Sequence, residues 1–329
     1  MAELTAVVPT RNRLHTLRRT LGSILDQRDV DVRVGGVDEA SSDDTPAFLA
    51  SLSDDRIEVI RNDVPVGLPA ARNRGLARAA TPWVAFCDDD DLWSPTKTRA
   101  QLDAVAACSG ARWAVTGAVL VGAELDIIGH IRLESTDELL GELLMMNVVP
   151  ASGSGLVVAT DLMRELGGYD QELAASEDWD MCIRLARAAP AGVADGPHVA
   201  YRIWAGSMSS SAPRMRASFE AMRARYGALA AEHGVAFDAA RYGRFVAQQE
   251  VKARRRVGGA TAYAGLAWRE RRPAHLVRAG LALTVPAWMD ERGNAKAVSR
   301  IPSPWRAEAE RWIPAVPELA WGDAGGGGG

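Results

Sequence analysis

The chain has 329 residues, 47% of them hydrophobic and 24% charged, and a net charge of −4. That is ordinary for a globular protein, with length for one large domain plus an appendage or for two domains. No apolar run approaches the ~18 residues that span a bilayer, Met1–Thr5 lacks the basic start and long apolar stretch of a signal peptide, and Cys87, Cys108 and Cys182 are too few and too scattered for a disulfide framework or a zinc site. A cytosolic protein is the expectation.

Leu4–Pro9 is β-branched and apolar and reads as a first strand. Leu14, Leu17, Leu21, Ile24 and Leu25 then recur at helical spacing. Val32–Val37 is a second strand, ending at Asp38-Glu39; Thr45-Pro46 opens a helix through Leu52; Ile57–Ile60 is a third strand; Pro69 opens a helix to Ala79. Trp83–Cys87 is a fourth strand, and four aspartates, Asp88 to Asp91, follow it directly. Strands alternating with helices at this spacing imply βαβ units and a parallel sheet.

Further along, Trp113–Val121 and Ile127–Leu133 flank a turn, Thr136–Met146 is helical, Gly155–Ala159 is a short strand and Asp161–Leu166 a short helix stopped by Gly167-Gly168. Glu177–Ala188 is a helix and Val199–Ile203 a last strand. After Ser211 the pattern becomes Ala/Arg-rich and helical, with breaks at Gly234, Gly258-Gly259, Pro273 and Pro286. Pro302 to Pro317 reads as extended, and 325–329 as a flexible glycine end.

Charge divides along the same line. Residues 215–300 hold 16 Lys+Arg against 7 Asp+Glu, a net +9, which leaves −13 on the rest. Trp268, Trp288, Trp305, Trp312 and Trp321 lie in the rear segment. Basic residues with tryptophans suit an anionic membrane surface; helices packed on the rest of the chain or on a second subunit are the alternative.

Four adjacent carboxylates repel one another unless a cation or solvent relieves them. They stand where a buried strand leaves the sheet, and crevices of open α/β sheets lie outside the carboxyl ends of strands. Hard oxygen ligands suit Mg²⁺ or Mn²⁺ beside a substrate phosphate; a solvated loop capping the next helix is the plainer use. Thr10-Arg11-Asn12 and Asp38-Glu39 follow neighbouring strands, so one rim could hold a base, a ribose and a metal-bound diphosphate in a row.

Six segments in order resemble glycosyltransferase family 2, the inverting, nucleotide-sugar-dependent enzymes of the GT-A fold. They are Val7–Arg13, Gly36–Thr45, Gly67–Gly75 with Ala71-Arg72-Asn73, Phe86–Trp93 with its Asp-x-Asp element, Gly167–Asp170, and Glu177–Asp180. The resemblance spans roughly residues 4–210. It implies an α/β, Rossmann-like, mostly parallel sheet flanked by helices, with a catalytic domain over 1–212, a mainly helical extension over 213–322 and a Gly-rich tail over 323–329.

The resemblance also implies roles. Thr10, Asp38 and Glu39 would hold the nucleoside base with Arg72 nearby, Asp88 would face the ribose with Asp89 beside it, and Asp90 would hold the metal. Asp178 would be the catalytic base, its pKa raised by the neighbouring Glu177. The donor would be a nucleoside diphosphate sugar and the acceptor a hydroxyl on a saccharide, a lipid-linked sugar or a small molecule; no nucleic acid is expected. Two positions depart from the family: Glu39 stands where Asp is usual, and Trp204 where the family often has a histidine able to help bind metal.

The same residues have commoner uses. Thr10 and Asn12 could cap the first helix, Asp43 and Asp44 the second, and Glu177-Asp178 could serve only a helix dipole. Gly153-Ser154-Gly155 is too short and misplaced for a dinucleotide fingerprint, and His15, His130, His198, His233 and His275 lack metal-ligand spacing. A nucleotidyltransferase and a catalytically lapsed GT-A-like binding module are the alternative functions. The first usually needs a glycine-rich loop after strand one, absent from Thr10–Arg13; the second is opposed by the retained Asp90 and Asp178.

Overall fold

The computed structural model describes residues 2–133, 135–173, 175–204, 212–252 and 255–321. The Gly-rich tail at 323–329 lies outside them. The chain order is β1 (Leu4–Thr10), α1 (Leu14–Leu25), β2 (Val32–Asp38), α2 (Thr45–Ser51), β3 (Ile57–Arg61), α3 (Leu68–Arg78), β4 (Trp83–Phe86), β5 (Leu92–Trp93), α4 (Lys97–Ala107), β6 (Trp113–Val121), β7 (Ile127–Ile131), α5 (Leu139–Met145), β8 (Leu156–Ala159), α6 (Thr160–Glu165), α7 (Glu177–Ala188) and β9 (Ala191–Arg202). Six helices follow: α8 (Ala212–Glu232), α9 (Ala239–Lys252), α10 (Arg256–Glu270), α11 (Ala274–Thr284), α12 (Pro286–Val298) and α13 (Ser303–Trp312).

The strands form one sheet in the order β3-β2-β1-β4-β8-β6-β9-β5, with β7 on β6. The first four are parallel; β8 enters antiparallel between β4 and β6, and β6 and β9 are parallel again. β1 is buried along its whole length, with apolar side chains on both faces because both are covered. Leu4, Ala6 and Val8 pack toward Leu17, Leu21 and Ile24 of α1, whereas Val7 joins the opposite layer with Ala71 and Leu76 of α3. The carboxyl ends of β1, β2, β4, β6 and β9 thus share an edge with the start of the reversed strand β8.

β9 begins at Ala191, well before the expected Val199. Asp195-Gly196-Pro197 breaks the strand pattern in the sequence. The register shifts there, from Thr116 opposite Ala194 to Gly117 opposite Pro197, so a bulge absorbs the break and pairing resumes.

The C-terminal helices are not a loose appendage. Phe219 and Met222 of α8 and Tyr242 of α9 share a core with Trp179 of α7. The stretch expected to be extended from Pro302 forms α13 instead. Pro302 and Pro304 fall at its first turn, where a missing N–H costs nothing, and Trp305, Ala309 and Trp312 make one buried stripe. Gly117 of β6 admits that stripe: a Cβ there would lie 2.0 Å from the Trp305 ring. The chain then returns to α1, where Arg18 donates to the Leu319 carbonyl at 2.8 Å and pairs with Glu318 at 3.0 Å.

Candidate active site

The rim brings Thr10, Asp38, Glu39 and Asp88–Asp90 together, and its hydrogen bonds divide them into two sets. Thr10 Oγ1 donates to Asp89 Oδ2 at 2.7 Å, tying the end of β1 to the aspartates. Asn12 has φ 55° and does not cap α1; its side-chain oxygen accepts from the Ser42 N–H at 2.8 Å, and its own N–H donates to Ser41 Oγ at 3.0 Å. Asp43 accepts from the Thr45 N–H at 3.0 Å just ahead of α2, whereas Asp44, at the N-cap itself, makes no side-chain cap hydrogen bond.

The acidic pair after β2 faces its own surroundings. Asp38 is buried and accepts from the Ser41 N–H at 3.0 Å and from Arg61 at 2.6 Å. The Glu39 carboxylate accepts the N–H groups of Val66 and Gly67, both at 2.9 Å, and the Asn62 amide. Its extra methylene carries the carboxylate into the β3–α3 loop, which it holds against the rim.

The aspartates differ from one another. Asp91 is fully buried, accepting from Ser154 Oγ at 2.5 Å and from the Arg202 N–H at 2.9 Å. It stitches β4, β8 and β9 together. Asp88, Asp89 and Asp90 stay partly open. Burial first, then Asp90, lifts the Asp89 carboxyl to about 7. Burial and then Asp88 raise Asp90, against the pull of Trp204. Trp204 stands where the resemblance placed a metal-binding histidine, and its indole N–H donates to Asp90 Oδ2 at 2.9 Å. The Arg13 guanidinium lies over the Trp204 ring, 4.3 Å from its centroid.

Arg72 connects this set to the expected base. It is 1% exposed, donates to Asp88 Oδ1 at 2.6 Å and to Glu177 Oε1 at 2.7 Å, and lies 5.1 Å from the Tyr169 ring centre. The carboxylates hold its pKa above the ordinary arginine value in spite of burial. Asn73, next to it, fixes the turn that presents Tyr169. Its amide donates to the Tyr169 carbonyl at 2.7 Å and its oxygen accepts the Tyr169 N–H at 2.8 Å. Gly168 there has φ 70°, and a Cβ would strike the Asn73 oxygen at 2.4 Å, so both space and conformation call for glycine.

Asp178 opens α7 beside Glu177. Its Oδ2 accepts from Ser152 Oγ at 2.5 Å and its Oδ1 from the Trp179 N–H at 2.7 Å. Burial raises the Glu177 carboxyl, against the pull of Arg72. Ser152 and Ser154 were not legible as functional residues. Ser152 holds Asp178, while Ser154 holds Asp91 and accepts the Asp88 N–H at 3.0 Å. The three residues Ser152–Ser154 run between the aspartates and the expected base. Between the serines, a Cβ on Gly153 would meet Asp88 Oδ2 at 2.8 Å. The only signal was a Ser-Gly-Ser just ahead of an apolar strand.

The family described as glycosyl transferase family 2 matches residues 5–114. The succinoglycan biosynthesis protein ExoO of Rhizobium meliloti (strain 1021) is 37% identical over 113 residues, 34% of this chain and 32% of that protein. The pre-mycofactocin glycosyltransferase of Mycobacterium tuberculosis (strain CDC 1551 / Oshkosh) is 31% identical over 195 residues, 56% of this chain and 39% of that one. The Escherichia coli UDP-Glc:alpha-D-GlcNAc-diphosphoundecaprenol beta-1,3-glucosyltransferase WfgD is 32% identical over 96 residues, 29% of this chain and 38% of that one. The chain thus spans about a third to two fifths of the length of these relatives. Among solved structures, residues 1–349 of S. aureus TarS in complex with UDP-GlcNAc superpose with a TM-score of 0.52 at 16% identity, covering 95% of this chain and 92% of that one, a likeness of fold.

Proposed function

Since residues 5–114 belong to glycosyltransferase family 2, we propose that the chain transfers a sugar from a nucleoside diphosphate donor to a hydroxyl acceptor, inverting the anomeric carbon. The observation that carries this reading is Arg72, buried between Asp88 and Glu177 and so joining the donor rim to the carboxylate pair on α7. In the reaction, the acceptor oxygen bonds to the anomeric carbon as the bond to the diphosphate oxygen breaks. Asp178 takes the acceptor proton, and the diphosphate leaves with the electron pair. A base positioned in this way contributes ~10²–10⁴ in rate.

Asp178 suits the base role because Ser152 orients one of its oxygens, and Arg72 offsets the charge of Glu177 beside it. Thr10 and Asp38 would line the nucleoside subsite, and Glu39 would shape it by holding the β3–α3 loop. Asp88 would face the ribose, with Asp89 beside it.

The residues present fit a hard divalent ion. Burial and then the charge of Asp88 raise the cost of ionising Asp90, and Trp204 engages a single oxygen of Asp90. Among the described residues no three His, Cys, Asp or Glu side chains form a cage, so Asp90 would share Mg²⁺ or Mn²⁺ with donor phosphates and water. Such an ion would neutralise the departing diphosphate.

For the acceptor we propose a sugar hydroxyl, on a lipid-linked saccharide in the first instance. The name of the E. coli relative specifies a diphosphoundecaprenol-linked acceptor, and the class is extended here to this chain. The catalytic unit is proposed to end near residue 212, with α8 and α9 as its packing partners.

The test begins with thermal shifts against UDP, GDP and dTDP, each with Mn²⁺, since a ligand of the native state raises the melting temperature by mass action. The matching nucleotide sugars are then assayed for acceptor-dependent diphosphate release and for the anomeric configuration of the product. One stabilising nucleotide and an inverted product are expected. Stabilisation by none of the three, or retention of configuration, would overturn the reading.

A further inference from the structure

Helices α10 and α11 turn apolar side chains outward. Val257, Thr261, Ala264 and Trp268 follow one another at spacings of four, three and four residues, so they share one face of α10, and that face is exposed. Trp268 is 87% exposed, Val277 65% and Leu276 58%. The hairpin is held together by its other side, where Tyr263, Leu266 and Ala282 pack with Val251. Where the two helices meet, an open cleft of about 720 Å³ is walled by Ala264, Ala267, Trp268, Pro273 and Leu276, with Arg269 and Arg271 at its rim.

The charge around this face has one sign. Residues 255–300 hold 9 Lys+Arg against 3 Asp+Glu. Arg269, Arg271 and Arg272 are exposed, and among the described residues none of the three forms an ion pair. By contrast, Arg225 and Arg244 of α8 and α9 are paired with Asp180 and Glu270, and Trp305 and Trp312 are buried in the core. Much of the basic, tryptophan-rich rear is therefore engaged within the chain, and among the described residues the α10–α11 face carries its most exposed tryptophan, Trp268, against 45% exposure for Trp288.

An indole and aliphatic side chains among unpaired guanidinium groups match the interfacial layer of a bilayer, where ring and alkyl groups enter between headgroups and arginines meet phosphates. We propose that this face docks on a bilayer surface rich in anionic phospholipid, with Trp268 and Leu276 entering the interface and Arg269, Arg271 and Arg272 against lipid phosphates. Docking of this kind does not depend on the glycosyl-transfer reading.

The test is co-sedimentation of the full chain with vesicles of phosphatidylglycerol and phosphatidylcholine, and with phosphatidylcholine alone, at low salt and at about 0.5 M salt, where screening acts within a few ångströms. Pelleting with the anionic vesicles only, and its loss in high salt, is expected. Replacing the three arginines (Arg269→Gln, Arg271→Gln, Arg272→Gln) should lower partitioning about 100-fold. The pair Trp268→Ser and Leu276→Ser should abolish pelleting while the melting temperature stays unchanged, because these side chains are exposed. Equal pelleting with neutral vesicles, or wild-type pelleting by both variants, would overturn the proposal. So would self-association in sedimentation velocity that the serine pair abolishes while no vesicle binding is seen, which would give the face to a second copy.

Discussion

The indole N–H of Trp204, at the end of β9, donates to Asp90 Oδ2 at 2.9 Å. A tryptophan cannot ligate a metal, yet it stabilises the ionised form of the carboxylate proposed to do so, and it lowers the Asp90 pKa against burial and the charge of Asp88. Trp204→Phe removes that donor. The acid limb of Mn²⁺-supported nucleotide binding should then move to higher pH, because Asp90 would hold its proton longer. Titration calorimetry at several pH values checks this, and a midpoint equal to that of the wild type refutes the role.

Asp90→Asn should cost about 2–5 kcal/mol of metal-dependent donor binding, the scale for removing one partner of a close charge pair. Binding of the nucleoside diphosphate without metal should change far less. Calorimetry with and without Mn²⁺ separates the two, and equal losses in both would place the ion elsewhere.

Asp178→Asn should keep donor affinity and lose transfer by ~10²–10⁴-fold. Ser152→Ala, which frees the Asp178 carboxylate from its 2.5 Å hydrogen bond, should lower kcat less and leave nucleotide binding alone. Single-turnover rates decide this; an Asp178→Asn enzyme that turns over like wild type has its base elsewhere.

Arg72→Gln should destabilise the fold by about 3–5 kcal/mol, because Glu177 would remain buried and Asp88 half-buried without their shared cation. Urea denaturation measures it. A loss below ~1 kcal/mol would mean that Arg72 serves only the ligand.

Lys97 is fully buried, donates to Gln101 Oε1 at 2.8 Å and lies 3.8 Å from the Trp93 ring centre. Burial lowers its pKa to about 7 from an ordinary 10.5. Between those values the unfolded chain binds a proton that the native state does not. Stability from this group should therefore rise as pH goes from about 7 to about 10, by at most ~1.4 kcal/mol per pH unit, and be lost as pH falls through 7. In Lys97→Met that rise should vanish. Urea midpoints from pH 6 to pH 10 test it, and a slope that survives the substitution belongs to another group.

The sequence by itself determined the elements and their order over residues 4–86. β1 to β4 and the helices between them are written in apolar runs and helical stripes, and local pattern needs no partner to be read. It also marked the residues that gather on the rim, since Thr10 and Asp38 end parallel strands and Glu39 and the aspartates come just after such strands. Only the tertiary structure decided what each carboxylate faces. Asp91 and Asp90 are neighbours in sequence, but the first points into the seam of β4, β8 and β9 and the second toward Trp204. Glu39 and Asp38 likewise diverge by one residue of strand alternation and one methylene.

The misreadings have the same cause. β9 crosses Asp195-Gly196-Pro197 because β6 offers a bulge opposite, and α13 is helical because β6 and β9 offer its Trp305–Trp312 stripe a surface. Between Asp91 and Trp113 local pattern marks no strand or helix, only the end of the Phe86–Trp93 resemblance, yet the segment forms β5 and α4, whose weak stripe is completed by Lys97 and Gln101 buried against the sheet. Ser152–Ser154 gained their places only when β8 reversed into a parallel sheet and set its first residues beside the ends of its neighbours. Which backbone lies alongside which is a property of the closed sheet and its packed layers, and no window of local sequence contains it.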